Sequence, residues 1–270
     1  MAGNEAFTMV QERGWQRGLS NLLRGELKSW FGRRRWLTSS LIWVAIVNLI
    51  LLTVLLQVRQ NPTAEDAMNQ EDMISLYTIF GGMFVAVGVV IAMQGAVVGE
   101  KVSGTASWIL SKPVARQAFI LSKAFGNGLG LLFTAVLVPG IIAYLEFSLI
   151  LYGQPMAVLP FLEGVAILGV NAIFWMLLTL MLGTFFNSWA PVIGIPLALL
   201  FGQQFILGML PQSVYVLPWM LTSTAGDIPS IAGSLILGEA PFSWLPLIST
   251  VFLSLLFLGI ALWRFRSEEL

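Results

Sequence analysis

The chain alternates long apolar runs with short clusters of charge, and the lengths of those runs set the fold. Between Arg35 and Arg59 lie 23 residues without a charge, and between Asp72 and Glu100 lie 27. A third run, from Ala124 to Leu145, has 22, and after Glu163 no charge occurs for 63 residues, until Asp227. About 20 helical residues cross a hydrocarbon core. The first three runs each suffice for one crossing, and the fourth holds two, with Asn187-Ser188-Trp189 and Pro191 marking the turn between them. A last apolar run precedes Arg264 and Arg266. The pattern predicts an all-α integral membrane protein with six transmembrane helices, at about 37–58, 73–98, 118–145, 164–186, 190–210 and 245–263.

The flanking segments read differently. Within residues 1–36, Trp15, Leu19, Leu22, Leu23, Leu27, Trp30 and Phe31 recur at helical spacing, with Arg17, Asn21, Arg24 and Lys28 on the other side. This predicts a basic amphipathic helix lying in the inner membrane interface. From 211 to 244, Pro218, Pro229, Pro241, Gly226, Gly233 and Gly238 cut the chain into apolar pieces too short to span. Irregular backbone at that depth must be covered by protein or line a cavity, so a re-entrant outer segment is expected there. The first apolar run exceeds a signal h-region and has no small-x-small exit, so it is expected to stay attached. The longest polar stretch, Arg59 to Asp72, has 14 residues, which leaves no room for a separate soluble domain between the spans.

Composition narrows the chemistry. Lys+Arg (14) and Asp+Glu (14) together make up 10% of a chain that is 57% hydrophobic, against roughly 25% charged in soluble domains. With no His and no Cys, Ser-His triads, thiol catalysis, disulfides and imidazole or thiolate metal sites are excluded. An enzyme would have to work with carboxylates or lysines alone, and none is expected.

The charges are placed asymmetrically. Seven basic residues (Arg13, Arg17, Arg24, Lys28, Arg33, Arg34, Arg35) precede the first run, four (Lys101, Lys112, Arg116, Lys123) lie in 99–123, and two in the tail at 264–270. With six spans, 13 of the 14 fall on one side, and only Arg59 lies on the other, beside Glu65, Asp66, Glu71, Asp72, Glu146, Glu163, Asp227 and Glu239. Basic residues are retained in the cytoplasm, so both termini are expected there.

The 99–123 loop joins dense charge to helix-forming length and aromatic content. Ser103 is placed to cap a helix from Gly104 to about Ser111, and Pro113 stops it. Trp108, Ile109 and Leu110 give this short helix an apolar surface that calls for a covering body, another protein or the bilayer. Glu100 and Arg116 bracket the loop and are positioned for ion pairing with each other or with a partner. Lys123 reads as a snorkelling anchor.

The pattern Glu100, Gly104-Thr105, Leu110, Pro113, Arg116, Lys123 resembles the membrane subunits of ABC-2 type exporters. In that family a Glu precedes Gly-Thr by four, Pro follows the Gly by nine, Arg follows the Pro by three, and Lys comes seven later. The interfacial helix, six spans and re-entrant outer segment also look like that family, so the resemblance covers the whole chain; Ser107 departs from it, standing where an acidic residue is frequent. It implies that the short helix is a coupling helix, with Glu100, Gly104, Thr105, Trp108, Leu110, Pro113 and Arg116 meeting a separate ATP-binding cassette subunit. It further implies a second permease, as homodimer or pseudo-dimer, in the cytoplasmic (inner) membrane of a prokaryote. No G-x-x-x-x-G-K-[ST] run occurs, so ATP and Mg belong to the partner, and this chain holds no cofactor. Membrane lipids are the other expected contact, and nucleic acid is not expected.

Polar positions inside the spans are Asn48, Gln94, Asn127, Asn171, Gln203 and Gln204, read first as interhelical hydrogen-bonding groups. Gln94, Asn171 and Gln203 are the candidates for a substrate path. Gly95-xxx-Gly99 and Gly126-xxx-Gly130 have the spacing that lets helices approach closely. The competing functions are a secondary, ion-coupled transporter, for which a midplane charge is missing from the sequence reading, and a non-transporting assembly subunit.

Overall fold

The computed structural model describes residues 14–32, 34–60, 69–151 and 156–267. Arg13, Arg33, Glu65 and Asp66, used above in the charge count, lie outside them, as does the end of the tail. The described residues form twelve α-helices and no strand: α1 (Leu19–Phe31), α2 (Arg35–Gln60), α3 (Gln70–Ile79), α4 (Val85–Met93), α5 (Val98–Val102), α6 (Thr105–Leu110), α7 (Arg116–Leu131), α8 (Val138–Glu146), α9 (Val158–Phe185), α10 (Trp189–Met209), α11 (Ile231–Leu237) and α12 (Leu245–Arg266). Six stretches are long and apolar enough to cross a membrane: Arg35–Gln60, Gln70–Val102, Arg116–Ile150, Val158–Phe185, Trp189–Met209 and Leu245–Arg266. The chain is a multi-pass, all-α membrane protein.

Helix α9 is the axis of the bundle. Its residues are apolar on every face, which is the signature of a helix surrounded by protein, and α4, α7, α10, α11 and α12 pack around it. By contrast α2, α10 and α12 leave most of their apolar residues at the surface, where lipid is the solvent. Two long stretches are not regular. π-helical turns at Phe80–Phe84 and Leu132–Leu137 interrupt the second and third spans, and a further one, Phe147–Leu151, extends the third. In the first of them Gly82 O accepts the Val85 N–H and, in addition, a hydrogen bond from Asn171 Nδ2 at 3.2 Å.

The boundaries correct the sequence reading in two places that matter. The third span runs on through Ile150 and the fourth begins at Val158, so Glu146 and Glu163 sit within helices, not in an outer loop. An apolar run that continues on both sides of one acid keeps its helix. In the second span the helix breaks at 94–97, between α4 and α5.

Helix α1 is packed lengthwise on α7. Val114 meets Gly18, Glu26 meets Gly126 and Trp30 meets Gly130, so the two helices ascend in step. Gly126 and Gly130 therefore do form a close-approach face, whereas nothing approaches Gly95 or Gly99. The segment 211–244, expected on the outer side, contains 3-10 turns at Pro211–Tyr215 and Pro218–Leu221 followed by α11. Trp219, Met220, Leu221 and Ile231 are buried, which satisfies the requirement that such backbone be covered by protein.

Candidate functional site

The 99–123 loop is a braced projection. After α5 the chain reverses at Gly104, whose φ of +74° lies in the left-handed region that favours glycine. The turn, not a Ser103 side chain, begins α6: Gly104 occupies the cap position without a side-chain hydrogen bond, and the Ser103 hydroxyl is hydrogen-bonded to the Thr105 hydroxyl at 2.8 Å. Helix α6 is shorter than expected at both ends, Thr105–Leu110. Pro113 follows, and the descending limb is tied down where the Ala115 N–H donates to Arg17 O at 2.9 Å.

The two sides of α6 differ. Ala106 is fully buried, and Ile109 and Leu110 pack against the core. Their i, i+3, i+4 spacing makes one helical stripe. On the other side Trp108 is 62% exposed and nearby Val102 67%. The ammonium of Lys112 lies over the Trp108 ring, 3.7 Å from its centroid, which holds the indole outward. Thr105 and Pro113 are also exposed. Leu110, in contrast, faces inward and serves the mount rather than the outer surface.

Behind the loop lies an ionic clamp. Lys123 Nζ, buried, pairs with Glu26 Oε1 of α1 at 2.5 Å and with Glu100 Oε1 of α5. One ammonium thus joins the N-terminal helix, the loop and the third span, which corrects the reading of Lys123 as a surface anchor. Glu100 Oε2 is buried without a partner, so two carboxylates lean on one cation and the clamp depends on it. Glu100 pairs with Lys123 and not with Arg116, whose guanidinium donates to Arg266 O at the end of α12 at 3.3 Å. Lys101 Nζ donates to Thr184 O at the end of α9, also at 3.3 Å. The loop is therefore clamped midway along α1 and α7 and fastened to the ends of α9 and α12.

The proposed path residues separate. Asn171 is buried and fully engaged, donating to Gly82 O and accepting from Trp175 Nε1 at 3.1 Å. Gln203 is buried and accepts the Trp219 N–H at 2.8 Å, which pins the outer segment to α10. These two line one small polar recess with Gly82, Trp175 and Thr222. Gln94 lies apart, at the α4–α5 break, with its Oε1 buried and unpartnered. A groove of about 650 Å³ is instead apolar and lies between the third, fourth and sixth spans, lined by residues such as Phe133, Val170, Ile173 and Leu255.

Two acids that the structure turns inward were not singled out by sequence reasoning. Glu26 carried a usable signal: it is a lone acid on the apolar stripe Leu19, Leu22, Leu23, Leu27, Trp30. Glu146 carried another, an acid with apolar residues on both sides. Asn48, which lies midway along α2, donates from Nδ2 to Glu146 Oε2 at 3.3 Å. An ionisable group therefore does reach the interior of the spanning region, contrary to the expectation that none does. No group of three or more Asp or Glu residues able to hold a metal occurs among the described residues. Compared with known proteins, the chain matches no family model and no curated protein.

Proposed function

We propose that this chain is the permease subunit of an ABC-2 type exporter. It forms the membrane path for substrate and receives its drive from a separate ATP-binding subunit through α6. The observation that carries this reading is the two-sided build of α6: an exposed Trp108 backed by buried Ala106, on a mount clamped to α1 and α7 and tied to the ends of α9 and α12. An exposed aromatic backed by buried packing is the usual anatomy of an interface anchor. A ligand or partner shifts a two-state protein only through contacts that differ between the states, and a rigid mount passes a displacement of α6 to α7 and α9 with little slack. The match of the loop to the exporter pattern and the lack of a nucleotide-binding motif in this chain support the same assignment, with ATP and Mg on the partner, a second permease beside this one, and a prokaryotic cytoplasmic membrane around both.

The test is co-purification in mild detergent of the tagged native chain, of Trp108→Ala, and of a variant with residues 103–112 replaced by a Gly/Ser linker. That replacement leaves Glu100, Arg116 and the Lys123 clamp in place. An ATP-hydrolysing subunit recovered with the native chain and lost from both variants is the expected result. No such subunit with the native chain would move the assignment to an ion-coupled carrier, which the Glu146–Asn48 contact favours, because carriers of that class place ionisable groups within the membrane.

A further inference from the structure

We propose that Glu146 and Asn48 form a proton-binding site inside the spanning bundle, in which the Glu146 carboxyl group takes up and releases one proton. The proposal stands apart from the exporter reading and uses none of its residues.

The geometry begins with Asn48, only 1% exposed. Both hydrogens of its Nδ2 are used, one on Pro139 O at 3.0 Å and one on Glu146 Oε2 at 3.3 Å. Its Oδ1 is buried and has no donor. A buried acceptor left unmatched costs about 1–3 kcal/mol. A neutral carboxyl group and a primary amide close a ring of two hydrogen bonds: N–H to the carboxyl C=O, and carboxyl O–H to the amide oxygen. The first arm is already present, as Nδ2 to Oε2. The second needs a hydrogen on Glu146 Oε1, directed at the orphan Oδ1. Uptake of one proton supplies the missing donor and discharges a carboxylate that would otherwise be carried uncompensated into the membrane.

The neighbours provide no cation. Residues 36–58 of α2 hold no charge, and Arg35 and Arg59 are exposed at its ends. From α3, Tyr77 is buried and its ring lies 5.9 Å from that of Phe147. Glu71 and Asp72 of α3 and Glu163 of α9 are exposed. On α8 itself, the Tyr144 hydroxyl donates to Met156 O at 3.0 Å. The π-helical turns on either side of α8 carry no titratable group. Glu146 is half-buried, so a proton can reach it without opening the bundle.

The test uses the purified full-length chain in lipid nanodiscs and the apolar reagent dicyclohexylcarbodiimide, which adds to protonated carboxyl groups. The modified residue is located by peptide mass spectrometry across a range of pH. The expected result is an adduct on Glu146 whose yield falls about tenfold per pH unit on the alkaline side of its midpoint, following the fraction of neutral acid. A displaced midpoint is expected in Asn48→Leu, which removes both arms of the ring. No adduct on Glu146 at any pH, a yield that does not change with pH, or a profile in Asn48→Leu that superimposes on the native one would overturn the proposal. The primary reading is taken on the native chain, so it does not depend on a variant folding.

Discussion

The indole N–H of Trp30 donates to Asn127 Oδ1 at 3.0 Å, and the indole ring occupies the space a side chain at position 130 would need. Asn127 Nδ2 in turn donates to Lys123 O at 2.9 Å, so the Trp30 anchor and the ionic clamp stand on consecutive turns of α7. The Trp30 ring is buried and is capped by the Arg35 guanidinium 4.2 Å from its centroid. Gly130→Ala puts a Cβ into this ring, which has no flexible end to move aside. Overpacking of this kind costs about 1–3 kcal/mol. The expected outcome is a lower thermal unfolding midpoint in detergent and faster proteolysis within residues 14–32, whereas Gly95→Ala, with nothing near it, leaves both unchanged.

The clamp makes an asymmetric prediction. Lys123→Met leaves Glu26 and Glu100 facing each other without a cation, and removing one partner of a buried pair costs about 3–5 kcal/mol. Glu26→Gln and Glu100→Gln each leave Lys123 one carboxylate, so each costs less. Adding both Gln substitutions to Lys123→Met removes the like-charge contact and restores part of the loss. Thermal unfolding of the five chains in one detergent checks the order. Equal loss in all three single variants would mean that Lys123 does not join the two carboxylates.

At the loop, stability and partner recognition should separate. Gly104→Val forces a β-branched residue to φ +74°, a left-handed conformation costing about 1–2 kcal/mol for an L-residue, and it disturbs the start of α6. Trp108→Ala removes a side chain that is 62% exposed and should leave the unfolding midpoint within error. If α6 is the surface that meets an ATPase, Trp108→Ala nonetheless abolishes ATP-driven transport in vesicles, and Gly104→Val reduces both transport and stability. Normal transport by Trp108→Ala removes the coupling assignment.

Much of this was legible in the residues, for physical reasons. A hydrocarbon core fixes helix length within narrow limits, so the spans could be counted from charge-free runs. Pro113 and the Gly104-Thr105 pair marked the loop because backbone geometry restricts what can stand there. The wrong assignments concern charges that fold inward. Lys123, Glu100 and Glu146 look like surface groups in a one-dimensional reading, since nothing in the order of residues says that Glu26, 97 residues away, will meet Lys123. Asn171 and Gln203 are amides within apolar spans, and that position alone does not distinguish a path-lining amide from one that bonds a backbone carbonyl or a 3-10 turn N–H.

That last distinction is testable at Gln203. Its Oε1 accepts the Trp219 N–H, so Gln203→Leu strands a buried donor at a cost of about 1–3 kcal/mol. Gln203→Glu keeps an acceptor at the same place. The expected pattern is loss of order in the outer segment in the Leu variant, read as faster hydrogen exchange over 211–224, with protection retained in Glu. A Leu variant with native exchange and altered substrate selection would return Gln203 to the path.

The orientation of the whole bundle rests on the same charges and can be checked directly, because the chain contains no Cys. Asn69 is exposed at the start of the second span, where its side chain accepts the Asp72 N–H at 2.8 Å. Ser103 is exposed at the other end of that span. Single cysteines at these two positions report on opposite ends of one continuous crossing, so a membrane-impermeant maleimide applied to intact cells should label Asn69→Cys and spare Ser103→Cys, with both labelled after permeabilisation. The positive-inside asymmetry requires this sense of labelling. The reverse sense would invert the topology and put α6 outside, out of reach of ATP; labelling of both in intact cells would mean that Gln70–Val102 does not cross.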